Sequence, residues 1–196
     1  MRKSIEMIFE FESVEGIIFD LDDTLISSNL TFSTIKQQLA CPIDTDILSH
    51  IGQLSGAEKQ RAEDIVLHYE LADAYSAVWV SGARDFVTEA KSRDLPLAIV
   101  TRNSRKAAHI KLSNNAVPIT QVITREDAPA KPDPSALLAV SEDWCIAPES
   151  IAYVGDYIYD VQAAHNANMQ AWQYIASETS STTFKNCLKF IPKNSK

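Results

Sequence analysis

Short runs of apolar residues alternate along the chain with segments whose apolar residues recur at helical spacing. The runs predict strands at Gly16–Leu21, Leu97–Thr101, Ile119–Thr124, Ile151–Gly155 and Gln170–Ile175. The segments between the last four strands predict helices at about 103–114, 134–142 and 159–168. Continuous apolar strands that alternate with helices indicate a parallel sheet covered on both faces. We therefore expect an α/β fold with a Rossmann-like, three-layer core.

The alternation is interrupted between Thr24 and Val80, a stretch of the chain without a strand-like run. Residues 57–79 repeat apolar side chains at the spacing of one long amphipathic helix. Residues 31–53 predict one or two shorter helices, broken near Cys41–Pro42. An ordinary crossover between strands rarely needs three helices, so the pattern favours an insertion.

These boundaries predict two domains. A core is formed by residues 1–26 and 81–196, and a small α-helical cap at 27–80 is inserted after the first core strand. The remaining segments at the two ends are less regular. Ile5–Phe11 alternates weakly, which predicts an edge strand or hairpin arm, and the tail 177–196 predicts a last short helix pinned by Phe184, Leu188 and Phe190.

The charge balance narrows the class of partner. The 196 residues carry 18 basic and 26 acidic side chains, for a formal net charge of −8. Nothing supplies the Lys/Arg stripe that binding to a nucleic-acid polymer or an anionic membrane requires. Local fields still attract anions, so a phosphorylated small molecule remains a candidate partner.

Cysteine usage and hydropathy point to a compartment. Cys41, Cys145 and Cys187 are far apart and match no metal or redox spacing, so we expect spare buried thiols in a reducing environment. The N-terminal segment lacks a continuous signal-peptide core, and no apolar run approaches the ~20 residues of a membrane span. We therefore expect a cytoplasmic protein that does not bind a membrane.

Reactive side chains lie at or after the carboxyl ends of four of the predicted strands. They are Asp20, Asp22, Asp23 and Thr24 at the end of the first, Thr101 and Asn103 at the end of the second, Lys131 after the third, and Asp156 and Asp160 after the fourth. Each group alone has a structural alternative, because Asp and Thr are ordinary turn and N-cap residues and a lone lysine is usually solvated. Doubly wound sheets bind ligands outside the carboxyl ends of their strands, so four such groups favour an active site.

In this order the four segments resemble the motifs of the haloacid dehalogenase superfamily, most of whose members are phosphatases. The segments are DLDDT at Asp20, Asp22 and Thr24, IVTRN at Thr101, KPDP at Lys131, and VGDYIYD at Asp156 and Asp160. The resemblance covers roughly residues 14–176. The helical segment after the first motif matches the position of the small helical cap in phosphoglycolate-phosphatase-like members.

The resemblance implies a role for each residue of the reaction centre. Asp20 would be the nucleophile that attacks phosphorus and becomes a transient aspartyl phosphate. Asp22 would protonate the leaving alcohol and then act as general base for the hydrolytic water. Thr101 would hydrogen-bond the transferring phosphoryl group, and Lys131 would offset the charge of Asp20 and the phosphate. Phosphoryl transfer depends on positioning and charge neutralisation, which such residues supply.

Magnesium is the cofactor that the resemblance implies. The Asp20 carboxylate, the Asp22 backbone carbonyl and Asp156 would hold Mg²⁺, with Asp160 as a water-mediated partner. Mg²⁺ prefers oxygen ligands and commonly uses only one or two carboxylates together with water and substrate phosphate.

Four other polar residues of these segments have less definite roles. Thr24, Arg102 and Asn103 are candidates for binding the phosphate or the substrate, although a plain surface position for Arg102 is an equal alternative. Asp23 stands where many members of the superfamily have Gly, and we expect it to be a turn or capping residue.

The resemblance therefore predicts an Mg²⁺-dependent phosphatase that hydrolyses a small phosphorylated metabolite through an aspartyl-phosphate intermediate. A sugar-phosphate mutase on the same fold is an alternative, since it shares the motifs. A phospho-accepting signalling module or a catalytically inactive scaffold is an alternative of a different class. Dehalogenation is disfavoured because dehalogenases generally lack the acid at the position of Asp22. The sequence does not choose among phosphoglycolate, nucleotides and sugar phosphates.

Overall fold

Five apolar runs form the parallel strands of one sheet in the computed structural model, which describes residues 9–175 and 183–186. The strands are β1 (Gly16–Phe19), β2 (Leu97–Val100), β3 (Gln121–Ile123), β4 (Ile151–Gly155), β5 (Gln170–Ile175) and β6 (Thr183–Asn186). Their order in the sheet is β3-β2-β1-β4-β5-β6; within the described part of the chain, β1 to β5 are parallel and the sixth strand, β6, runs antiparallel beside β5. The two central strands, β1 and β4, are buried along their whole length.

Helices alternate with the strands as the sequence predicts. They are α1 (Phe32–Gln38), α2 (Ile47–Gly52), α3 (Gly56–Ser76), α4 (Ala83–Ser92), α5 (Arg105–Asn114), α6 (Ser135–Trp144) and α7 (Ile158–Asn166), with 3-10 turns at Phe11–Ser13 and Pro148–Ser150. The predicted helices correspond to α5, α6 and α7 and, in the insertion, to α1, α2 and α3. Helix α4 was not predicted. Among the described residues, no helix is long and apolar enough to cross a membrane.

The alternating side chains of the strands divide the core into two hydrophobic clusters. Ile17 and Phe19 point to one face of β1, where they pack in a cluster that includes residues of α4 and α5. Ile18 points to the other face and packs in a cluster with residues of α6 and α7. Successive strand residues face opposite sides of a sheet, so both faces of this one are covered. The predicted three-layer α/β core is confirmed.

Three expectations outside the core need correction. Phe11 begins a 3-10 turn, not a strand, while the first part of the predicted edge segment lies outside the described residues. Phe184 lies in β6, not in a helix, because the chain pairs with the free edge of β5; Leu188 and Phe190 lie outside the described residues. Cys41 is a buried free thiol, but Cys145 is exposed, and Cys187 lies outside the described residues.

Helices α1, α2 and α3 pack around a cluster of their own between β1 and α4. The cluster contains Ile35, Ile47, Ile51, Ala62 and Val66. The chain enters and leaves this insertion through adjacent segments: Ser27 N–H donates to the Val78 carbonyl at 2.7 Å, and Val80 N–H donates to the Leu25 carbonyl at 2.9 Å. This arrangement supports the proposed division at residues 27–80.

Two buried carboxylates of α3 face the core. Glu70 accepts hydrogen bonds from the Arg125 guanidinium and from the Ser104 N–H. Asp73 accepts from the Lys111 ammonium of α5, at 2.6 Å, and from the Asn29 N–H at 2.7 Å. The Lys111 side chain is 0% exposed and donates also to Asp22, at 2.6 Å. This lysine therefore connects the insertion to the segment that follows β1.

Replacing Lys111 with Met should destabilise the fold, because it leaves the Asp22 and Asp73 carboxylates without their shared cation. Breaking a buried ion pair by removing one partner costs about 3–5 kcal/mol. We expect Lys111→Met to lower the free energy of unfolding by about 3 kcal/mol. This value is at the lower end of the range because Asp22 keeps some contact with solvent. Urea unfolding followed by tryptophan fluorescence measures the change.

The matched control is Lys106→Met, an exposed lysine of the same helix. Surface substitutions of this kind change stability by about 0.5 kcal/mol or less. Equal effects of the two substitutions would contradict a structural role of the Lys111 ion pairs.

Candidate active site

The first two acidic residues of the site follow β1 directly. Asp20 continues the strand direction, and its N–H donates to the Val154 carbonyl of β4 at 2.8 Å. Leu21 turns into the core and is fully buried. The chain then reverses at Asp23, which has a φ of 54° and accepts a hydrogen bond from the Ser28 N–H. Asp tolerates this left-handed conformation, so Asp23 is a turn residue, as expected.

Lys131 lies at the centre of the site, although a lone lysine would usually be solvated. Its side-chain ammonium donates to Asp20 Oδ1 at 2.6 Å, to Asp160 Oδ1 at 2.6 Å and to the Tyr153 hydroxyl at 2.8 Å. An ammonium group has three N–H donors, so every donor of Lys131 has a partner. The residue is 5% exposed. The Lys131–Pro132 peptide bond is cis.

Three carboxyl groups meet beside Lys131. One oxygen each of Asp20, Asp156 and Asp160 lies within 4.8 Å of the others. Burial raises the pKa of Asp20 to about 8, against the opposing pull of Lys131 and with a further upward contribution from Asp160. Burial, followed by the charge of Asp160, raises the pKa of Asp156 to about 6. Asp20 and Asp156 therefore bind protons more tightly than exposed aspartates do, because burial disfavours their charged forms and neighbouring carboxylates add to the effect.

The chemistry of this cluster fits a divalent cation. Hard cations such as Mg²⁺ take oxygen ligands, and their charge would offset the excess of carboxylates over ammonium groups. Asp160 already uses both oxygens: Oδ1 accepts from Lys131 and the Tyr153 hydroxyl, and Oδ2 accepts from the Tyr157 N–H at 2.9 Å. Asp20 and Asp156 are therefore better placed than Asp160 to contact a metal directly.

Gly155 allows Asp160 to approach the end of β4. A Cβ atom added at Gly155 would lie 2.4 Å from Asp160 Cγ, far inside van der Waals contact. The same Asp160 side chain accepts from the Tyr157 N–H and so caps the start of α7. A steric constraint therefore explains the glycine of the fourth motif, since any larger residue at this position would displace the Asp160 carboxyl group.

Asp22 has a different environment from Asp20, although only one residue separates them. Its Oδ1 accepts from Lys111 at 2.6 Å, and its carboxyl group is not part of the three-carboxyl cluster. Burial raises the pKa of Asp22, although Lys111 and a hydrogen bond from Asn103 oppose the shift. The predicted contribution of the Asp22 backbone carbonyl to the metal stays a prediction.

Thr101 and Asn103 form one polar unit at the end of β2. The Thr101 hydroxyl oxygen accepts from the Asn103 N–H at 3.1 Å and from its side-chain amide at 3.0 Å. With its oxygen so engaged, the Thr101 hydroxyl keeps its proton available for a ligand. Asn103 Oδ1 is buried and has no hydrogen-bond partner among the described residues. Their place at the strand end agrees with the predicted phosphate contact, which stays a prediction.

Most of the predicted site residues line one cavity of about 520 Å³. They are Asp20, Asp22, Thr101, Arg102, Asn103, Lys131, Asp156 and Asp160. Thr24 is the exception: it is buried and does not line the cavity. Residues of α1, α2 and the loop between them form the opposite wall of the cavity. The structure therefore brings the four strand ends and the helical insertion together around a single space.

Sequence reasoning missed three polar residues of this site. Tyr153 shares the Asp160 carboxylate with Lys131, while Lys111 donates to Asp22 and also to Asp73. A signal for Lys111 exists, because it falls on the buried face of α5 together with Ala107 and Ala108. A lysine on the apolar face of a helix is expected to have an acidic partner.

Comparison with known proteins identifies the family. The sequence profile of the haloacid dehalogenase-like hydrolases matches residues 17–173. A "haloacid dehalogenase-like hydrolase domain-containing protein" of Arabidopsis thaliana is 27% identical over 158 residues, which are 75% of this chain and 64% of that protein. This chain therefore spans less than two thirds of that relative's length. Pyrophosphatase PpaX of Bacillus velezensis is 30% identical over 194 residues, covering 85% of this chain and 87% of the relative.

Solved structures share the fold. The crystal structure of a predicted phosphoglycolate phosphatase from Haemophilus somnus superposes with a TM-score of 0.63 at 19% identity, over 81% of this chain and 84% of that one. At this level of identity the match concerns the fold alone. The family profile, in contrast, spans all four segments that surround the cavity. The chain belongs to the haloacid dehalogenase-like hydrolase family.

Proposed function

We propose that the protein is an Mg²⁺-dependent phosphatase that hydrolyses a small phosphorylated metabolite through an aspartyl-phosphate intermediate. One observation carries the proposal: the buried Lys131 ammonium holds Asp20 and Asp160 together, with Asp156 beside them, at the carboxyl ends of β1 and β4. A carboxylate held next to a cation and facing a cavity is suited to accept a phosphoryl group. The names of the relatives, among them a pyrophosphatase, support chemistry at phosphorus.

In the first step, an oxygen of Asp20 attacks phosphorus while the bond from phosphorus to the alcohol oxygen breaks. The leaving alcohol takes a proton from the Asp22 carboxyl group, whose pKa burial raises. In the second step, water attacks the phosphorus of the aspartyl phosphate, gives its proton to Asp22 and frees Asp20 and inorganic phosphate. One group thereby serves as acid and then as base, which returns the site to its starting protonation.

The surrounding donors would orient the phosphoryl group. The Thr101 hydroxyl lines the same cavity as Asp20 and is placed to donate to a phosphoryl oxygen, while Lys131, whose three donors are engaged, supplies positive charge beside it. Asp20 and Asp156 would hold Mg²⁺, which when bound supplies charge neutralisation for the phosphoryl oxygens. Asp160 keeps Lys131 in position through its own ion pair at 2.6 Å. In this arrangement catalysis depends on positioning and electrostatics.

Replacing either acidic residue of the first motif by its amide should abolish phosphate release. Asp20→Asn removes the nucleophile and Asp22→Asn removes the acid and base, so each should lower kcat by on the order of a thousandfold or more. Release of inorganic phosphate from an aryl phosphate in the presence of Mg²⁺ measures the loss, and EDTA should produce the same loss.

Asp23→Asn is the matched control, because Asn also adopts positive φ and can still accept the Ser28 N–H. It should retain activity to within a few-fold. Full activity of Asp20→Asn or Asp22→Asn would contradict the mechanism. Product analysis with a sugar phosphate separates the alternative, since a mutase would return the phosphate on a sugar.

The acid–base properties of the cluster predict how Mg²⁺ stabilises the protein. The pKa values of Asp20, about 8, and Asp156, about 6, exceed the ordinary value of 3.8. The folded metal-free protein therefore binds more protons than the unfolded chain, and this contribution to stability is lost as pH rises from about 4 to 8. Because Mg²⁺ takes the place of these protons, it should raise Tm more at pH 8 than at pH 5.

Differential scanning fluorimetry with and without Mg²⁺ measures these shifts. Asp156→Asn is the control, since removing one proposed ligand should shrink the Mg²⁺ effect at both pH values. An Mg²⁺-induced shift in Tm that is the same at pH 5 and pH 8 would argue against metal binding by these carboxyl groups.

A further inference from the structure

Apolar side chains line part of the cavity. Phe32, Ile43 and Tyr157 are 61%, 72% and 57% exposed, and all three line the cavity; together they are called the apolar wall. Leu30, Ile35, Ile47 and Leu48 also line the cavity. Large hydrophobic side chains left in contact with water beside a reaction centre are unfavourable unless a ligand covers them.

The cations of the cavity wall are already engaged. Besides Lys131, the described cationic residues that line the cavity are Lys36 and Arg102. The Arg102 guanidinium donates to Asp46 Oδ2 at 2.5 Å and lies 5.0 Å above the centre of the Tyr159 ring. The Lys36 ammonium donates to the Ile43 carbonyl oxygen at 2.5 Å. Arg102 is therefore neutralised by a carboxylate on the wall where the substrate's alcohol part would lie.

Acidic residues make this region less suited to a second anion. Asp44 lines the cavity beside Ile43, and Asp46 lines it beside Arg102. An ionised carboxylate or a second phosphate placed here would lose hydration beside two carboxylates. Lys36 has no carboxylate partner among the described residues, but its ammonium group already donates to the Ile43 carbonyl oxygen, so the placement is costly. An apolar group would instead remove water from the side chains of the wall, at a gain of about 25 cal/mol per Å² of buried apolar surface.

We propose that the alcohol part of the substrate is uncharged and presents an apolar or aromatic face to the wall formed by Phe32, Ile43 and Tyr157. This inference rests on the proposed phosphatase function and adds the class of substrate. It separates this chain from enzymes for phosphoglycolate or pyrophosphate, whose leaving groups are anions. Asp46 is the specificity-determining residue against such anions, because it holds the Arg102 guanidinium.

Three substrates with comparable leaving oxygens test the proposal. Ethyl phosphate, 2-phenylethyl phosphate and phosphoglycolate each release a primary alcohol and differ in the group attached to it. With Mg²⁺ present, kcat/KM should be at least about tenfold higher for 2-phenylethyl phosphate than for ethyl phosphate, and lowest for phosphoglycolate. Phosphoglycolate as the best of the three would overturn the proposal, and so would equal values for all three.

Substitutions in the apolar wall test whether its side chains cause the preference for 2-phenylethyl phosphate over ethyl phosphate. Phe32→Ala and Ile43→Ala should each lower the ratio of kcat/KM for 2-phenylethyl phosphate over ethyl phosphate by several-fold, mainly through KM. Leu138→Ala is the matched control, because Leu138 is an exposed hydrophobic residue of α6 that does not line the cavity. An unchanged ratio in both wall variants would overturn the assignment of the wall as the binding surface.

Asp46→Asn removes the negative charge of Asp46 and keeps its N-cap of α2. Asp46 Oδ1 caps α2 by accepting from the Ser49 N–H at 3.0 Å, and Asn is an equally good cap. The substitution should raise kcat/KM for phosphoglycolate relative to ethyl phosphate by about tenfold, since Arg102 would lose its carboxylate partner. No increase would overturn the role of Asp46.

The outcomes distinguish a failure of the proposed substrate class from a failure of the proposed phosphatase function. Hydrolysis of ethyl phosphate without the expected order of substrates would overturn the substrate class and leave the phosphatase function standing. Release of phosphate from none of the three substrates would overturn the proposed function and this inference with it.

Discussion

The ammonium group of Lys131 joins three separate parts of the chain at the edge of the sheet. Asp20 follows β1, Asp160 lies in α7, and Tyr153 belongs to β4. All three contacts are buried, where an unpaired charge would cost several kcal/mol. The lysine therefore fixes the loop after β3 against the two central strands. The arrangement of the remaining polar groups around the cavity depends on this contact.

A second buried lysine gives two neighbouring carboxyl groups different environments. Asp20 and Asp22 are chemically identical, but Lys131 binds the first and Lys111 binds the second. Only Asp20 belongs to the group that could hold a metal ion. Different roles for like residues arise when their environments differ in charge and burial. Because Lys111 also binds Asp73 of α3, the insertion takes part in setting the environment of Asp22.

The sequence predicted the features that depend on local patterns. Apolar runs marked β1 to β5, and the motif residues followed these strands, so parallel pairing placed most of them around one cavity. Helix α4 was missed although it carries a local signal, since its buried residues Ala83, Val87 and Ala90 recur at helical spacing. The contact between Lys111 and Asp22 joins residues 89 positions apart, and β6 depends on pairing with β5. Such long-range contacts are decided by tertiary packing and leave little local signal.

The neighbouring entry and exit of the helical insertion have a consequence for how the protein can change over evolution. The two connections are held together by backbone hydrogen bonds next to Ile26 and Trp79, whose side chains pack in the hydrophobic cluster of the core. A closed loop of this kind can gain or lose residues at an entropic cost that grows only slowly with its length. Mutations in α1 and α2 can therefore reshape the apolar wall while the carboxyl ends of β1 and β4 stay in register. Selection can act on what the protein recognises independently of the chemistry that it performs.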